Sequence, residues 1–169
     1  MKRPVYTIGH GSRKIEDFTG LLKMYGIKYL VDVRSKPYSA YNPQFIRENL
    51  KASLEENSIV YVYMGDALGG RPANPDCYTN GRVDYNKVKE QSWYKLAIER
   101  LKTAYVKDIS LAIMCAEANP CNCHRSKLIS DTLIKDNVLI EHIDEKGMLK
   151  PHAEIHFYEG PLFEGIVGH

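Results

Sequence analysis

Short apolar runs alternate with segments of helical spacing along most of the chain. The runs lie at residues 5–8, 30–33, 59–63, 109–114 and 138–143 and predict buried strands. Between the first three runs, apolar residues recur every three or four positions, as on the inner face of a helix. They are Phe18, Leu21, Leu22 and Tyr25, followed by Phe45, Ile46, Leu50 and Leu54. Further helices are predicted at about 85–105 and 125–135.

This alternation of strands and helices indicates the fold class. Repeated strand–helix–strand units are typical of a parallel sheet whose right-handed crossovers place helices on both faces. We therefore predict a single-domain α/β fold over residues 1–143, an open parallel sheet of about five strands that is Rossmann-like or flavodoxin-like. Residues 144–169 show no period and are predicted to form an irregular tail packed on the domain or on a partner. The pattern predicts neither the strand order nor the oligomeric state.

Composition narrows the class of protein further. The 169 residues suffice for one core, and 23 Lys and Arg nearly balance 21 Asp and Glu. No block of like charge forms a polyelectrolyte-binding tail, so nucleic acid is neither implied nor excluded as a partner. No stretch has the length of a signal-peptide core or a membrane span, and we expect a cytoplasmic protein without membrane contact. The four cysteines are then expected as thiols or metal ligands rather than as a disulfide framework.

Polar and reactive residues gather where four predicted strands end. They are His10 after the first strand, Asp32 and Arg34 at the second, Gly69, Gly70 and Arg71 beyond the third, and Cys115 and Glu117 at the fourth. In open parallel sheets, ligands bind outside the carboxyl ends of the strands. We therefore predict a site at this edge of the sheet, where the Gly-Gly pair can present backbone donors to an anion.

The segment C-A-E-A-N-P-C-N-C-H-R, from Cys115 to Arg125, is predicted to be the reactive centre. Cys123, His124 and Arg125 come where the next helix is expected to begin, and a helix N-terminus favours an anion or a thiolate. A cysteine beside His and Arg is expected to be nucleophilic, and Arg125 can bind a carboxylate or a phosphate bidentately. Cys123 is thus favoured as nucleophile. Cys115 is equally typical of a small buried residue, and Cys121 is expected to be incidental.

Several of these residues have a structural alternative. Glu117 can act as a general acid or base, or it can pair with a neighbouring arginine. His10 can bind a ligand or cap a loop through backbone hydrogen bonds. Asp32 and Arg34 alternate with Val31 and Val33, as in a buried ion pair that orders the strand ends.

Metal binding is the weaker interpretation of the cysteine-rich segment. Its C-x5-C-x-C-H spacing lacks the paired C-x2-C knuckles of structural zinc sites, so neither a metal nor a cofactor is predicted. His152 and His156 have helical ligand spacing, but they lie in the Pro- and Gly-flanked tail.

Five motifs occur in order along the chain and together indicate a family. They are T-I-G-H at 7–10, D-V-R at 32–34, N-P-Q-F at 42–45, L-G-G-R-P at 68–72 and C-A-E-x-x-P-x-x-C-H-R at 115–125. On these motifs the chain resembles the family called domain of unknown function 488, over about residues 4–143. The resemblance implies the position of the site and assigns no chemistry to it. The residues that carry over are His10, Asp32, Arg34, Gly69, Gly70, Arg71, Cys115, Glu117, Cys123, His124 and Arg125.

The strand-end residues lead us to expect an enzyme, a transferase or a hydrolase. It is predicted to bind a small anionic or nucleotide-like molecule, with Arg34, Arg71 and Arg125 as anion anchors. A cysteine is then the nucleophile, and Glu117 or His10 is the acid or base. Two alternatives stay open: a non-catalytic nucleic-acid or nucleotide-binding module, and a cysteine-rich metal or redox site.

Overall fold

A computed structural model describes residues 2–158, apart from the side chains of residues 122 and 156–158. The strands among these residues are β1 (Val5–Gly9), β2 (Tyr29–Asp32), β3 (Val60–Tyr63), β4 (Tyr78–Thr79), β5 (Arg82–Val83), β6 (Leu111–Cys115), β7 (Ile140–Ile143) and β8 (Leu149–Pro151). The α-helices are α1 (Ile15–Met24), α2 (Arg47–Glu56), α3 (Gly65–Leu68), α4 (Tyr85–Lys89), α5 (Ser92–Val106), α6 (Asp131–Lys135) and α7 (His152–Tyr158). A π-helical turn, Arg125–Ser130, leads directly into α6.

Six strands form one sheet in the order β3-β2-β6-β1-β7-β8, and β4 pairs with β5 in a small hairpin. Neighbouring strands from β3 to β7 run parallel, whereas β8 runs antiparallel to β7. All five predicted strands are present, and the mostly parallel α/β sheet confirms the predicted Rossmann-like fold class.

Apolar side chains cover both faces of this sheet. On one face, Phe18 of α1 and Leu50 of α2 pack with Ile8, Leu30 and Met114 of the strands. The opposite face is covered by Leu101 of α5, Leu128 of the π-helical turn and Leu133 of α6. The alternation of side chains along each strand therefore supplies two separate apolar layers.

The position of β6 brings the reactive strand ends together. β6 lies between β1 and β2, although it begins about eighty residues after β2 and about a hundred after β1 in the chain. Gly9 pairs in register with Cys115, and Asp32 pairs with Met114. The chain segments that leave these three strands consequently emerge side by side at one edge of the sheet.

Two predicted elements differ from the structure. The helix expected at 85–105 is divided into α4 and α5, because Gln91 adopts an extended backbone conformation that interrupts the helix. The segment predicted as an irregular tail contains β8, which extends the sheet, and α7, which buries His152 and Ile155. Residues 159–169 of that segment lie outside the described residues.

Candidate functional site

A cleft of about 550 Å³ opens at the edge of the sheet where β2, β3 and β6 end. Its walls combine basic, aromatic and sulfur-containing side chains. The lining residues are Arg34, Ser35, Lys36, Tyr38, Gly70, Arg71, Tyr85, Cys115, Ala116, Glu117, Cys123 and His124. The volume is within the range of small-molecule sites, and three of the lining side chains are cationic.

Seven of the eleven residues predicted for the site line this cleft. They are Arg34, Gly70, Arg71, Cys115, Glu117, Cys123 and His124. The other four, His10, Asp32, Gly69 and Arg125, are buried beside it and do not belong to its lining. The predicted residues thus meet in one region, and burial separates those that line the cleft from those that support it.

Two cysteines of the predicted reactive centre form a pair. The Sγ atoms of Cys115 and Cys123 lie in bonded contact, and the two Cα atoms are 7.3 Å apart. From the sequence we expected thiols or metal ligands, so this bonded pair is a correction to that expectation. Both residues are almost fully buried, at 2% and 4% exposure, yet both reach the cleft. Cys77 and Cys121 lie outside the pair.

Arg125 does not face the cleft, and its predicted role as an anion anchor is a further correction. Its side chain is fully buried, where no ligand in the cleft can reach it. Nε donates to Thr7 Oγ1 at 3.0 Å, and one terminal nitrogen donates to Cys115 Sγ at 2.9 Å. The terminal nitrogens also donate to the carbonyl oxygens of Glu117 and Ala118. Arg125 therefore holds the loop after β6 and contacts the Cys115 sulfur from the buried side.

Burial is the largest effect on the acidity of this guanidinium. It lowers the pKa of Arg125 to about 9, and the positive charge of Arg13 acts in the same direction. The side chain stays protonated at neutral pH, so a buried positive charge lies against Cys115.

The backbone of the segment that follows β2 orients the ring of His124. Its Nε2 lies 3.0 Å from the Val33 carbonyl oxygen and must donate to it, because a carbonyl can only accept. Burial lowers the pKa of His124 below its usual value, which keeps the ring neutral near pH 7. Nδ1 then carries a lone pair 3.7 Å from the Sγ atom of Cys123. When the two cysteines are reduced, this geometry allows His124 to accept the thiol hydrogen of Cys123.

Asp32 and Arg34 form a buried ion pair, the structural alternative considered from the sequence. Both Asp32 oxygens accept from the Arg34 guanidinium, at 2.9 and 2.8 Å, and Tyr61 Oη donates to Asp32 at 2.6 Å. Asp32 is fully buried, whereas Arg34 keeps 5% exposure and reaches the cleft wall. The third Arg34 nitrogen donates to the Phe45 carbonyl oxygen at 2.8 Å. The pair fixes the strand end on which the cleft is built.

His10 is held as a neutral ring under Arg34. Its Nδ1 donates to the Gly11 carbonyl oxygen at 2.8 Å, and Nε2 accepts from Arg34 at 3.3 Å. The ring stacks on Phe45 with centroids 4.4 Å apart. Burial lowers the pKa of His10 to about 4. Since its lone pair is occupied by Arg34, the geometry gives His10 a supporting position rather than that of an acid or base.

Close backbone packing places the loop after β6. A Cβ atom at Gly9 would overlap the backbone of Glu117 and Ala118, so only glycine fits there. The Glu117 carbonyl faces inward to Arg125, while the residue as a whole is exposed at the cleft. Gly69 is similarly confined by Ser35, whose hydroxyl accepts from the Arg71 backbone N–H at 2.9 Å. The two glycine positions thus serve close packing.

Sequence reasoning missed several residues of this site. Lys36, Tyr38 and Tyr85 line the cleft, and Tyr38 is 65% exposed. The signal for Lys36 and Tyr38 was their position directly after the D-V-R motif. Thr7 was missed because a β-branched residue is ordinary in a strand, although its hydroxyl contacts Arg125.

Within residues 2–158, no three His, Cys, Asp or Glu side chains are grouped so that they could hold a metal ion. Over the same residues, every helix is too short or too polar to cross a membrane.

Comparison with known proteins identifies the family. The chain matches none of the curated proteins and none of the solved structures compared with it. One family model matches residues 14–132, which is more than half of the chain. The matched residues contain every motif noted above except T-I-G-H. The chain therefore belongs to the family described as Domain of unknown function DUF488.

Proposed function

We propose that this protein is a cytoplasmic enzyme that acts on a small anionic molecule through the thiolate of Cys115. The observation that carries the proposal is the hydrogen bond from buried Arg125 to Cys115 Sγ. Of the four hydrogen-bond partners of Arg125, the sulfur alone can take a full negative charge, since the others are a hydroxyl and two carbonyls. Buried charges are ordinarily paired, and a reduced Cys115 supplies an anion in direct contact with the guanidinium.

Cys123 is the natural partner of this thiolate. Its sulfur contacts that of Cys115, and His124 Nδ1 lies 3.7 Å away as a hydrogen-bond acceptor. One sulfur is therefore placed against a cation and the other against a base. This difference favours Cys115 as the nucleophile and Cys123 as the proton-carrying thiol, which reverses the preference drawn from the sequence.

The cleft walls favour an anionic substrate. Arg34, Lys36 and Arg71 bring positive charge to the lining, and the aromatic rings of Tyr38 and Tyr85 lie in the same lining. Cations that share a cleft with aromatic rings suit a molecule that has a charged group and a planar ring, such as a nucleotide. We infer that the charged group binds near Arg71, whose side chain is exposed.

The proposed chemistry is hydrolysis or group transfer through a covalent intermediate. The Cys115 thiolate attacks the electrophilic atom, and the leaving group departs with the proton of the Cys123 thiol. Glu117, exposed at the cleft, removes a proton from water, and the resulting hydroxide breaks the bond to Cys115. The proton on Glu117 then returns to Cys123. Another acceptor in place of water makes the same sequence a transferase.

Alkylation of the reduced protein tests this proposal. The rate of iodoacetamide reaction at Cys115 is followed by peptide mass spectrometry against pH, in the wild type and in Cys123→Ser. We expect a midpoint below the value of about 8.5 of an ordinary thiol. A midpoint at or above that value removes the nucleophile.

Protection from alkylation tests the anion site. Inorganic phosphate and adenosine monophosphate are the probes, and each should slow the reaction of the wild type. Arg71→Gln should abolish this protection, whereas Arg100→Gln, at an exposed arginine of α5 outside the cleft lining, should keep it. Equal rates with and without both probes in the wild type reject an anionic substrate.

The contact between the two sulfurs favours a second candidate, a dithiol–disulfide centre. In that case, Cys115 and Cys123 together lose two electrons and their protons to a disulfide oxidant, which is reduced to two thiols. Incubation with oxidised glutathione distinguishes the candidates. A stable internal disulfide with loss of alkylation at both Cys115 and Cys123 supports the redox centre, and a persistent single glutathione adduct at Cys115 supports the nucleophilic enzyme.

A further inference from the structure

A line of buried polar side chains runs from the reactive sulfur to the start of the C-terminal helix. Arg125 Nε donates to Thr7 Oγ1 at 3.0 Å, and Thr7 Oγ1 lies 2.6 Å from His142 Nδ1. His142 Nε2 lies 2.8 Å from Nδ1 of His152, the first residue of α7. All four side chains are at most 3% exposed.

The sheet itself sets this arrangement. Thr7 of β1 and His142 of β7 are direct partners in the parallel register, so their side chains lie on the same face. Leu128 and Leu133 of the following turn and helix cover this face, and the turn begins at Arg125. Ser130 Oγ donates to the Arg125 carbonyl oxygen at 2.6 Å and fixes the backbone of that turn. The guanidinium is therefore anchored on both its backbone and its Nε side.

Hydrogen-bond chemistry gives the line a direction. Arg125 Nε–H can only donate and Thr7 Oγ1 accepts it, so we assign the hydroxyl hydrogen of Thr7 to the bond with His142 Nδ1. His142 then carries its hydrogen on Nε2 and donates it to His152 Nδ1. In this assignment Arg125 donates to Thr7, Thr7 donates to His142, and His142 donates to His152.

We propose that Thr7, His142 and His152 are positioning residues that hold the Arg125 guanidinium in line with Cys115 Sγ. This inference rests on the proposed thiolate at Cys115. Its physical basis is that the Nε bond fixes the plane of the guanidinium, and that plane decides whether the terminal nitrogen stays 2.9 Å from the sulfur. Burying four polar side chains is costly compared with an apolar core, which is consistent with a role beyond packing.

Two matched pairs of variants test the positioning role. Thr7→Val removes the hydroxyl and keeps the shape, whereas Thr7→Ser keeps the hydroxyl. His152→Leu removes the acceptor, whereas His152→Asn keeps an acceptor oxygen near the position of Nδ1. Reduced protein is used, and the rate of Cys115 alkylation is measured against pH.

We expect Thr7→Val to raise the midpoint of alkylation by about one unit, which slows the reaction about threefold below the midpoint because a more basic thiolate is also more nucleophilic. His152→Leu should raise the midpoint by about half a unit, since it acts through two further hydrogen bonds. Thr7→Ser and His152→Asn should keep the midpoint within about 0.2 unit of the wild type. Near-UV circular dichroism and cooperative thermal unfolding identify the variants that fold.

An unchanged midpoint in folded Thr7→Val overturns the inference. If that variant does not fold, an unchanged midpoint in His152→Leu overturns it instead. A wild-type midpoint like that of an ordinary thiol is a failure of the proposed function. The NMR signals of the His142 ring nitrogens test the direction of these hydrogen bonds independently. A ring with its hydrogen on Nδ1 is incompatible with the assigned direction.

Discussion

Replacing Arg125 by methionine gives the sharpest prediction for the reactive centre. The variant removes the only cation that donates a hydrogen bond to Cys115 among the described contacts, and methionine keeps an unbranched side chain of similar length in the core. Because Cys115 stays buried, its thiolate loses the attraction of the guanidinium without gaining water. We expect the thiolate population to fall strongly.

The magnitude follows from the distance between the charges. The terminal nitrogen lies 2.9 Å from the sulfur, which places the centre of the guanidinium about 4 Å away. At an effective dielectric constant of about 20, unit charges at that distance attract by about 4 kcal/mol. This energy corresponds to about a thousandfold change in the thiolate population. A more basic thiolate is also more nucleophilic, so the rate of alkylation near pH 7 should fall by only about 30-fold.

The assay is the iodoacetamide reaction of reduced protein, with Cys115 quantified by peptide mass spectrometry. Arg125→Lys is the matched variant, since it keeps the charge and loses the fixed fork of donors. It should react at a rate between those of the wild type and Arg125→Met. Thermal unfolding of all three proteins checks that the fold persists. If folded Arg125→Met reacts as fast as the wild type, the guanidinium does not stabilise the thiolate and the assignment of Cys115 is refuted.

Three further predictions concern the residues that support the cleft. Burial lowers the pKa of His10 to about 4, so the unfolded chain binds a proton that the folded protein does not. The free energy of unfolding, measured in urea, should therefore be at its full value above about pH 6.5 and fall by about 3 kcal/mol as the pH is lowered towards about 4. His10→Asn should reduce this fall. Gly9→Ala should destabilise by about 1–3 kcal/mol because its Cβ overlaps the loop backbone, whereas Gly20→Ala, with open space around it in α1, should stabilise by about 0.5–1 kcal/mol. Asp32→Asn leaves a buried cation without its counter-charge and should cost about 3–5 kcal/mol, against about 1.5–3 kcal/mol for Tyr61→Phe, which removes one hydrogen bond to the same carboxylate.

Each of these predictions has a contrary outcome. An identical pH dependence in wild type and His10→Asn would show that His10 is protonated equally in both states. Equal stability of the two glycine variants would mean that the loop after β6 does not press on Gly9. A loss from Asp32→Asn no larger than that from Tyr61→Phe would argue against a structural ion pair.

The fold class could be predicted from the sequence because it depends on local pattern. Buried strands need apolar residues on both faces, and helices between them need one apolar face, so the alternation of the two is visible along the chain. The strand ends are marked by the polar residues that follow, which located Arg34, Arg71 and Cys115 near one site. The strand order could not be predicted, since the insertion of β6 between β1 and β2 depends on packing between distant segments.

The roles within the site depended on burial and on hydrogen-bond partners, which no spacing specifies. The sequence presents His10, Arg125 and Glu117 alike as polar residues in the loops and the helix start that follow strands. The tertiary structure buries the first two and leaves the third exposed in the cleft lining, because Gly9 lets the loop after β6 pack onto β1. The sequence by itself therefore determined which residues meet at this edge. Only the packing of the loop against the sheet decided that Arg125 faces Cys115 from within the core. A buried charge is stabilised by the polar groups that surround it, and tertiary packing determines which groups these are.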